Sequence, residues 1–175
     1  MKPKAILKIA VAGAAFLAAA PAFAQGTNLK FSQNSRNGVC YFSVQGPNAP
    51  GTDKPMTFEL SYRVRDGNMG VGVLVNGWPK AQAADPEAKH PVTVIFDSGK
   101  TIASRSGGYA SGFNDRVWGG WGAENSAPVF ALTKNAKTAR VEVDGMKLGP
   151  FDLQMKGLAY TSLDDCAKRV RAGGQ

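Results

Sequence analysis

Residues 56–65 alternate without a break, with Met56, Phe58, Leu60, Tyr62 and Val64 on one side and Thr57, Glu59, Ser61, Arg63 and Arg65 on the other. A two-residue apolar period belongs to a strand with one packed face and one wet face, the pattern of antiparallel sheets. Such a strand needs partners at its edges. Asp66-Gly67-Asn68 follows it, and because these residues reach positive φ easily, the chain is expected to turn back as a hairpin into 70–76.

The same period recurs along the chain. Residues 39–45 set Cys40, Phe42 and Val44 against Val39, Tyr41 and Ser43, and Gly46-Pro47-Asn48-Ala49-Pro50-Gly51 ends that strand. Trp78-Pro79 closes the next arm, and 81–89 reads as a loop or one helical turn. Val92, Val94 and Phe96 restart the alternation, Asp97-Ser98-Gly99 turns, and 100–105 returns as a partner. Residues 140–144, the Asp144-Gly145 turn and 147–155 form another hairpin, interrupted at Gly149-Pro150. The stretch 25–38 is polar, holds Leu29 and Phe31 as its alternating pair, and reads as a short strand or an ordered arm.

Only the end of the chain changes period. Leu163, Cys166, Ala167 and Val170 step by three and four, Thr161 or Ser162 can cap, Asp164 and Asp165 stand in the first turn, and Lys168, Arg169 and Arg171 stand in the last. One amphipathic helix is expected over 161–172, its charges matched to its own dipole. Several short strands with a single terminal helix predict a mainly β fold, an antiparallel β-sandwich or flattened barrel.

The N-terminus reads as a secretory signal. Lys2, Lys4 and Lys8 precede an apolar run over 9–20, and Ala22-Phe23-Ala24 offers a small-residue cleavage site before Gln25. The run is about half of the ~20 residues a membrane span requires, so residues 1–24 are read as a signal peptide and 25–175 as one exported domain. A bacterial periplasmic or extracellular location follows. The chain holds 2 cysteines, and in an exported protein an even count predicts a bond, here Cys40 to Cys166. Neither belongs to a Cys-x-x-Cys pair, which argues against zinc.

Enzyme motifs fail one by one. Gly99-Lys100-Thr101 has Val94 where a phosphate loop needs glycine, and Gly70-x-Gly72 has Val75 where a dinucleotide fold needs its third. His90, the 1 histidine of the chain, precedes Pro91 at a strand start, and no serine is framed as Gly-x-Ser-x-Gly. No cofactor and no metal are expected. A pair of carboxylates could still hydrolyse a glycan or peptide. Glu59 lies on an outward face, Asp97 and Asp144 occupy turns, and Glu124, following Trp118-Gly119-Gly120-Trp121-Gly122, has no structural explanation in the sequence.

The most unusual segment is 104–125, where Arg105, Tyr109, Phe113, Arg116, Trp118 and Trp121 are interspersed with glycines. Exposed rings with neighbouring guanidinium groups suit a binding surface, and glycines beside buried rings equally suit a bent strand. The net charge of +8 at pH 7 includes the three signal lysines, and an exported chain rarely meets nucleic acid, so that partner is set aside. The sequence therefore favours a non-catalytic protein that binds a protein or glycan of the cell envelope or a host through Tyr109, Phe113, Arg116, Trp118 and Trp121. The alternative is a carboxylate-dependent hydrolase.

The C-terminal third carries a resemblance. Ala139-Arg140-Val141-Glu142-Val143, Gly149-x-Phe151-x-Leu153, Gly157-Leu158-Ala159, Leu163 and Cys166 resemble the tail of small proteobacterial periplasmic proteins related in layout to the invasion-associated locus B family. That resemblance implies a secreted, disulfide-linked β fold. The chain departs from the family in lacking a closely spaced internal cysteine pair, and no functional residue carries over.

Overall fold

A computed structural model describes residues 32–112 and 114–173; the signal read over 1–24, the alternating pair Leu29 and Phe31, and Phe113 lie outside the described residues. The chain begins with β1 (Ser32–Arg36), β2 (Val39–Asn48), β3 (Pro55–Arg63) and β4 (Met69–Leu74), followed by the short helix α1 (Pro79–Ala83). Next come β5 (Thr93–Phe96), β6 (Gly99–Lys100), β7 (Ser106–Ala110) and β8 (Arg116–Trp121), then α2 (Ala123–Thr133). The hairpin of β9 (Thr138–Val143) and β10 (Met146–Asp152) leads into α3 (Leu158–Arg171).

The strands form two antiparallel sheets, one ordered β1-β2-β3-β4-β8-β7 and the other β10-β9-β5-β6. Neither closes into a barrel, so of the two expected architectures the open, layered one holds. The alternating strand is β3, and its hairpin with β4 pairs Tyr62 with Met69 across the Asp66-Gly67-Asn68 turn. β6 is shorter than the expected 100–105 partner: Gly99 and Lys100 pair with β5.

Alternation decides which face is inside. Phe42, Val44, Phe58, Leu60, Val71 and Val73 of the larger sheet are buried against Val94, Phe96, Val141, Leu148 and Phe151 of the smaller one. Each large apolar side chain buried this way contributes about 1.5–3 kcal/mol. The rings of Phe58 and Phe151 stack at 5.0 Å between centroids. Close approach demands glycine at two points. A β-carbon at Gly46 would overlap the Phe151 ring, and one at Gly119 would lie 2.7 Å from Val92 Cβ.

Cys40 on β2 is bonded to Cys166 on α3, with Cα atoms 5.9 Å apart. The bond fixes α3 on the same inner side, where it packs on β1, β2 and β3. The helix starts earlier than 161, at Leu158 after the left-handed Gly157 (φ 79). Thr161 therefore does not cap it; its hydroxyl donates to the Gly157 carbonyl at 3.1 Å. Asp164 and Asp165 lie past the first turn, and Asp164 pairs with Lys168 at 2.7 Å.

The expected C-terminal helix is accompanied by one that the sequence pattern does not mark, α2 over 123–133. This helix carries Pro128 inside it and buries Ser126, Val129 and Thr133. Ser126 holds it to the sheet, accepting from Met69 N–H at 2.9 Å and donating to the Trp121 carbonyl at 2.9 Å. Phe130 then stacks on Tyr62 at 5.3 Å, which places α2 on the inner face beside α3.

Candidate functional site

With both long helices on the inner side, the outer face of the larger sheet is left to its own side chains. Register across the strands gives one row Tyr41, Ser61, Gly70, Gly120, Ser106 and a second row Ser43, Glu59, Gly72, Trp118, Gly108. Gly70 and Gly72 of β4 and Gly120 of β8 stand at outward positions of these central strands. A strand without side chains leaves a trough, and here it forms a groove of about 500 Å³. Trp118 stands on one side of this floor, Glu59 and Ser61 on the other, and Tyr41, Arg63 and Arg116 flank them.

The floor tolerates no bulk without displacing its walls. A β-carbon at Gly70 would meet Ser61 Oγ at 2.6 Å, and one at Gly120 would meet Ser106 Oγ at 3.0 Å. The backbone beneath is fully engaged, since β4 pairs with β3 and β8, and β8 pairs with β4 and β7. Recognition in the trough therefore falls to side chains.

The electrostatics are asymmetric. Among the outward positions of this sheet, Glu59 is the lone carboxylate against Arg36, Arg63 and Arg116. Arg63 is held by Asp66 at 3.4 Å, whereas Arg116 makes no ion pair among the described residues. Burial pushes the Glu59 carboxyl above its usual range, and the nearby Arg116 guanidinium offsets part of that shift.

Of the five residues singled out in 104–125, the structure divides the four it describes. Arg116 and Trp118 lie on the open face, with Trp118 39% exposed. Trp121 is 3% exposed and points inward, its indole N–H donating to the Ile102 carbonyl at 3.0 Å. Tyr109 is also buried, edge-on to Trp78 at 5.9 Å. Tyr41, Glu59, Ser61 and Arg63, from strands outside 104–125, complete the groove. The sequence held a signal for this division: positions three apart in a strand face opposite ways, so Trp118 and Trp121 cannot share a surface.

The carboxylates considered for hydrolysis have other employment. Asp97 accepts from the backbone N–H groups of Lys137 and Thr138 at 2.8 and 3.1 Å, which hold it below the usual carboxylate range. Glu124 is exposed in the first turn of α2, where a negative charge suits the helix dipole. Among the described residues no group of three His, Cys, Asp or Glu side chains is arranged to hold a metal.

A second depression, of about 360 Å³, lies where the sheets meet at their rim and is lined by Lys80, Asp85, His90, Tyr109 and Asp144. His90 Nδ1 is 2.9 Å from Asp144 Oδ2, and the Tyr109 hydroxyl donates to the same oxygen at 3.1 Å. This constellation was not anticipated, because its three members are separated in sequence and converge through the Asp144-Gly145 turn. It fixes the imidazole, and among the described residues no serine, threonine or cysteine lines the depression to act as a nucleophile.

Comparison with protein-family models, with curated proteins and with solved structures returned no match.

Proposed function

We propose that this protein is an exported binding module, without catalytic activity, that takes a protein or glycan of the cell envelope or a host on the open face of its six-stranded sheet. The observation that carries this reading is the side-chain-free floor of Gly70, Gly72 and Gly120 beside the exposed Trp118 and Arg116, a guanidinium without a salt bridge among the described residues. A glycine in a strand interior costs stability and packing area, so several together on one outward patch call for a reason outside folding. Exposed Trp and Arg are the residue types that dominate binding energies.

Export is supported by the signal-like N-terminus, by the Cys40–Cys166 bond and by the resemblance of 139–166 to periplasmic proteins. Among the described residues no helix is long and apolar enough to cross a membrane.

The test fills the trough. Gly120→Val adds a β-branched residue to a strand, and its nearest obstacle is the mobile Ser106 hydroxyl. The variant is expected to melt where the wild type does and to lose retention of an envelope component that the immobilised wild type captures. Equal retention by both proteins would remove the open face from the reading.

A further inference from the structure

We infer that the occupant of the open face is an acidic glycan, with a sugar ring laid on the Trp118 indole and a sugar carboxylate held by Arg116. The inference rests on the open face being the binding surface, and adds the chemistry of what binds there.

Peptide docking by strand addition is unavailable in the trough. Its floor lies in mid-sheet, where β4 and β8 already spend their backbone donors and acceptors on neighbours at both edges. A strand-adding peptide needs an open edge. A folded protein partner needs a different resource, a cluster of large apolar anchors ringed by polar groups. Among the described residues Trp118 is the large exposed hydrophobic side chain of this face, and Ile102 and Met155, the other two exposed, lie in loops away from its outward positions. One ring is too little for such an interface and sufficient for stacking one sugar.

The remaining groups match a hydroxyl-rich chain. Ser61 and Tyr41 offer hydroxyls, Glu59 offers a carboxyl across Gly72 from Trp118, and the guanidinium of Arg116 offers a planar fork that fits a carboxylate bidentately. The volume of about 500 Å³ lies in the range of small-ligand sites, roughly 300–1,000 Å³. Of the two guanidinium groups that line the groove, Arg63 is shared with Asp66 and Arg116 is left to attract negative charge on the occupant, with Arg36 at the edge strand adding to the positive excess of the outer face.

Calorimetric titration of the purified protein with oligogalacturonate, alginate and hyaluronan oligomers, and with chitin and cellulose oligomers as neutral controls, tests the inference. Binding of at least one acidic oligomer is expected, weakened by salt and falling about tenfold or more in Trp118→Ala and in Arg116→Gln, with Trp118→Ala keeping the wild-type melting temperature. Neutral oligomers bound as tightly as acidic ones, or no oligomer bound at all, would overturn it. A captured protein partner, or self-association seen by sedimentation, that is lost in Gly120→Val without any glycan binding would overturn the glycan inference and leave the open face as the binding surface. Any ligand bound equally by wild type, Gly120→Val and Trp118→Ala would overturn both.

Discussion

The imidazole of His90 meets the carboxylate of Asp144 at 2.9 Å, Nδ1 to Oδ2, across 54 residues of sequence. His90 enters β5 and Asp144 sits at φ 50 in the turn from β9 to β10, while Tyr109, whose hydroxyl also reaches Asp144, belongs to β7 of the other sheet. One carboxylate thus ties the rim of the two sheets together.

This junction makes a prediction at each end of the pH scale. Burial works against the Asp144 charge, but the hydrogen bonds from His90 and Tyr109, with the electrostatic pull of His90 and Lys80, outweigh it and hold the carboxyl below its usual range. A depressed folded-state value means stability that is present above the unfolded value of 3.8 and lost as pH falls through the folded one. Asp144→Asn should therefore flatten the acid limb of stability against pH, read from urea midpoints between about pH 5 and pH 2. Parallel acid limbs for both proteins would contradict the tie.

Burial, and after it the hydrogen bond and charge of Asp144, push the Tyr109 phenol well above the ordinary tyrosine value of 10.0. Its contribution is fully present below that value and lost as pH rises through the folded-state one. In an alkaline absorbance titration one of the 4 tyrosines should ionise late or only on unfolding. Tyr109→Phe should remove that late step and leave the earlier ones in place.

The disulfide closes a span of 126 residues. The chain-entropy account gives such a loop about 4–5 kcal/mol of stabilisation as an upper expectation. Cys40→Ser with Cys166→Ser should lower the urea midpoint accordingly, and α3, which the bond holds to β2, should be the first element to lose amide-exchange protection. Uniform loss of protection over both sheets would show that the bond acts on the whole fold and not on the helix.

Trp118 and Trp121 should separate cleanly. Truncating the buried Trp121 removes a core ring and its hydrogen bond to Ile102, and large aromatic-to-alanine changes of this kind cost about 3–5 kcal/mol. Trp118→Ala should change the melting temperature little while removing the component of tryptophan fluorescence that iodide quenches. Quenching that survives in Trp118→Ala would place the exposed ring elsewhere.

Much of this fold was legible because period-two alternation and turn chemistry act locally. Residues 56–65, Asp66-Gly67-Asn68 and Asp144-Gly145 carry their own instructions, and the structure follows them. Asn37-Gly38 carries one as well, with φ 54 and 74 between paired Arg36 and Val39, and of the short strand or ordered arm expected in 25–38 the strand is present as β1. α2 was hidden for the opposite reason. Pro128 argues against a helix, and its inward stripe of Ser126, Val129 and Thr133 mixes polar with apolar residues, so no apolar period marks it. The groove was half legible: Arg116, Trp118 and Gly120 stand in one unusual segment, but Gly70, Gly72, Glu59, Ser61 and Tyr41 reach it through strand register, which no local pattern encodes. The meeting of His90 with Asp144 is invisible for the same reason.

Glu59 links the groove to stability. Burial raises its carboxyl above the ordinary value of 4.5, and Arg116 compensates only in part. A raised folded-state value contributes stability fully below the unfolded value, and that contribution is lost as pH rises through the folded one; at neutral pH the ionised side chain is thus a cost to the fold. Glu59→Gln keeps the shape and removes the charge. It should raise the melting temperature at pH 7 relative to wild type, lose that advantage below about pH 4, and weaken binding of whatever ligand the groove takes. A variant that gained neither stability at pH 7 nor lost affinity would show that Glu59 is a solvated bystander. Both changes together would mark a side chain kept at the expense of stability for its place opposite Trp118, which is the pattern expected of a residue that serves a site and not the core.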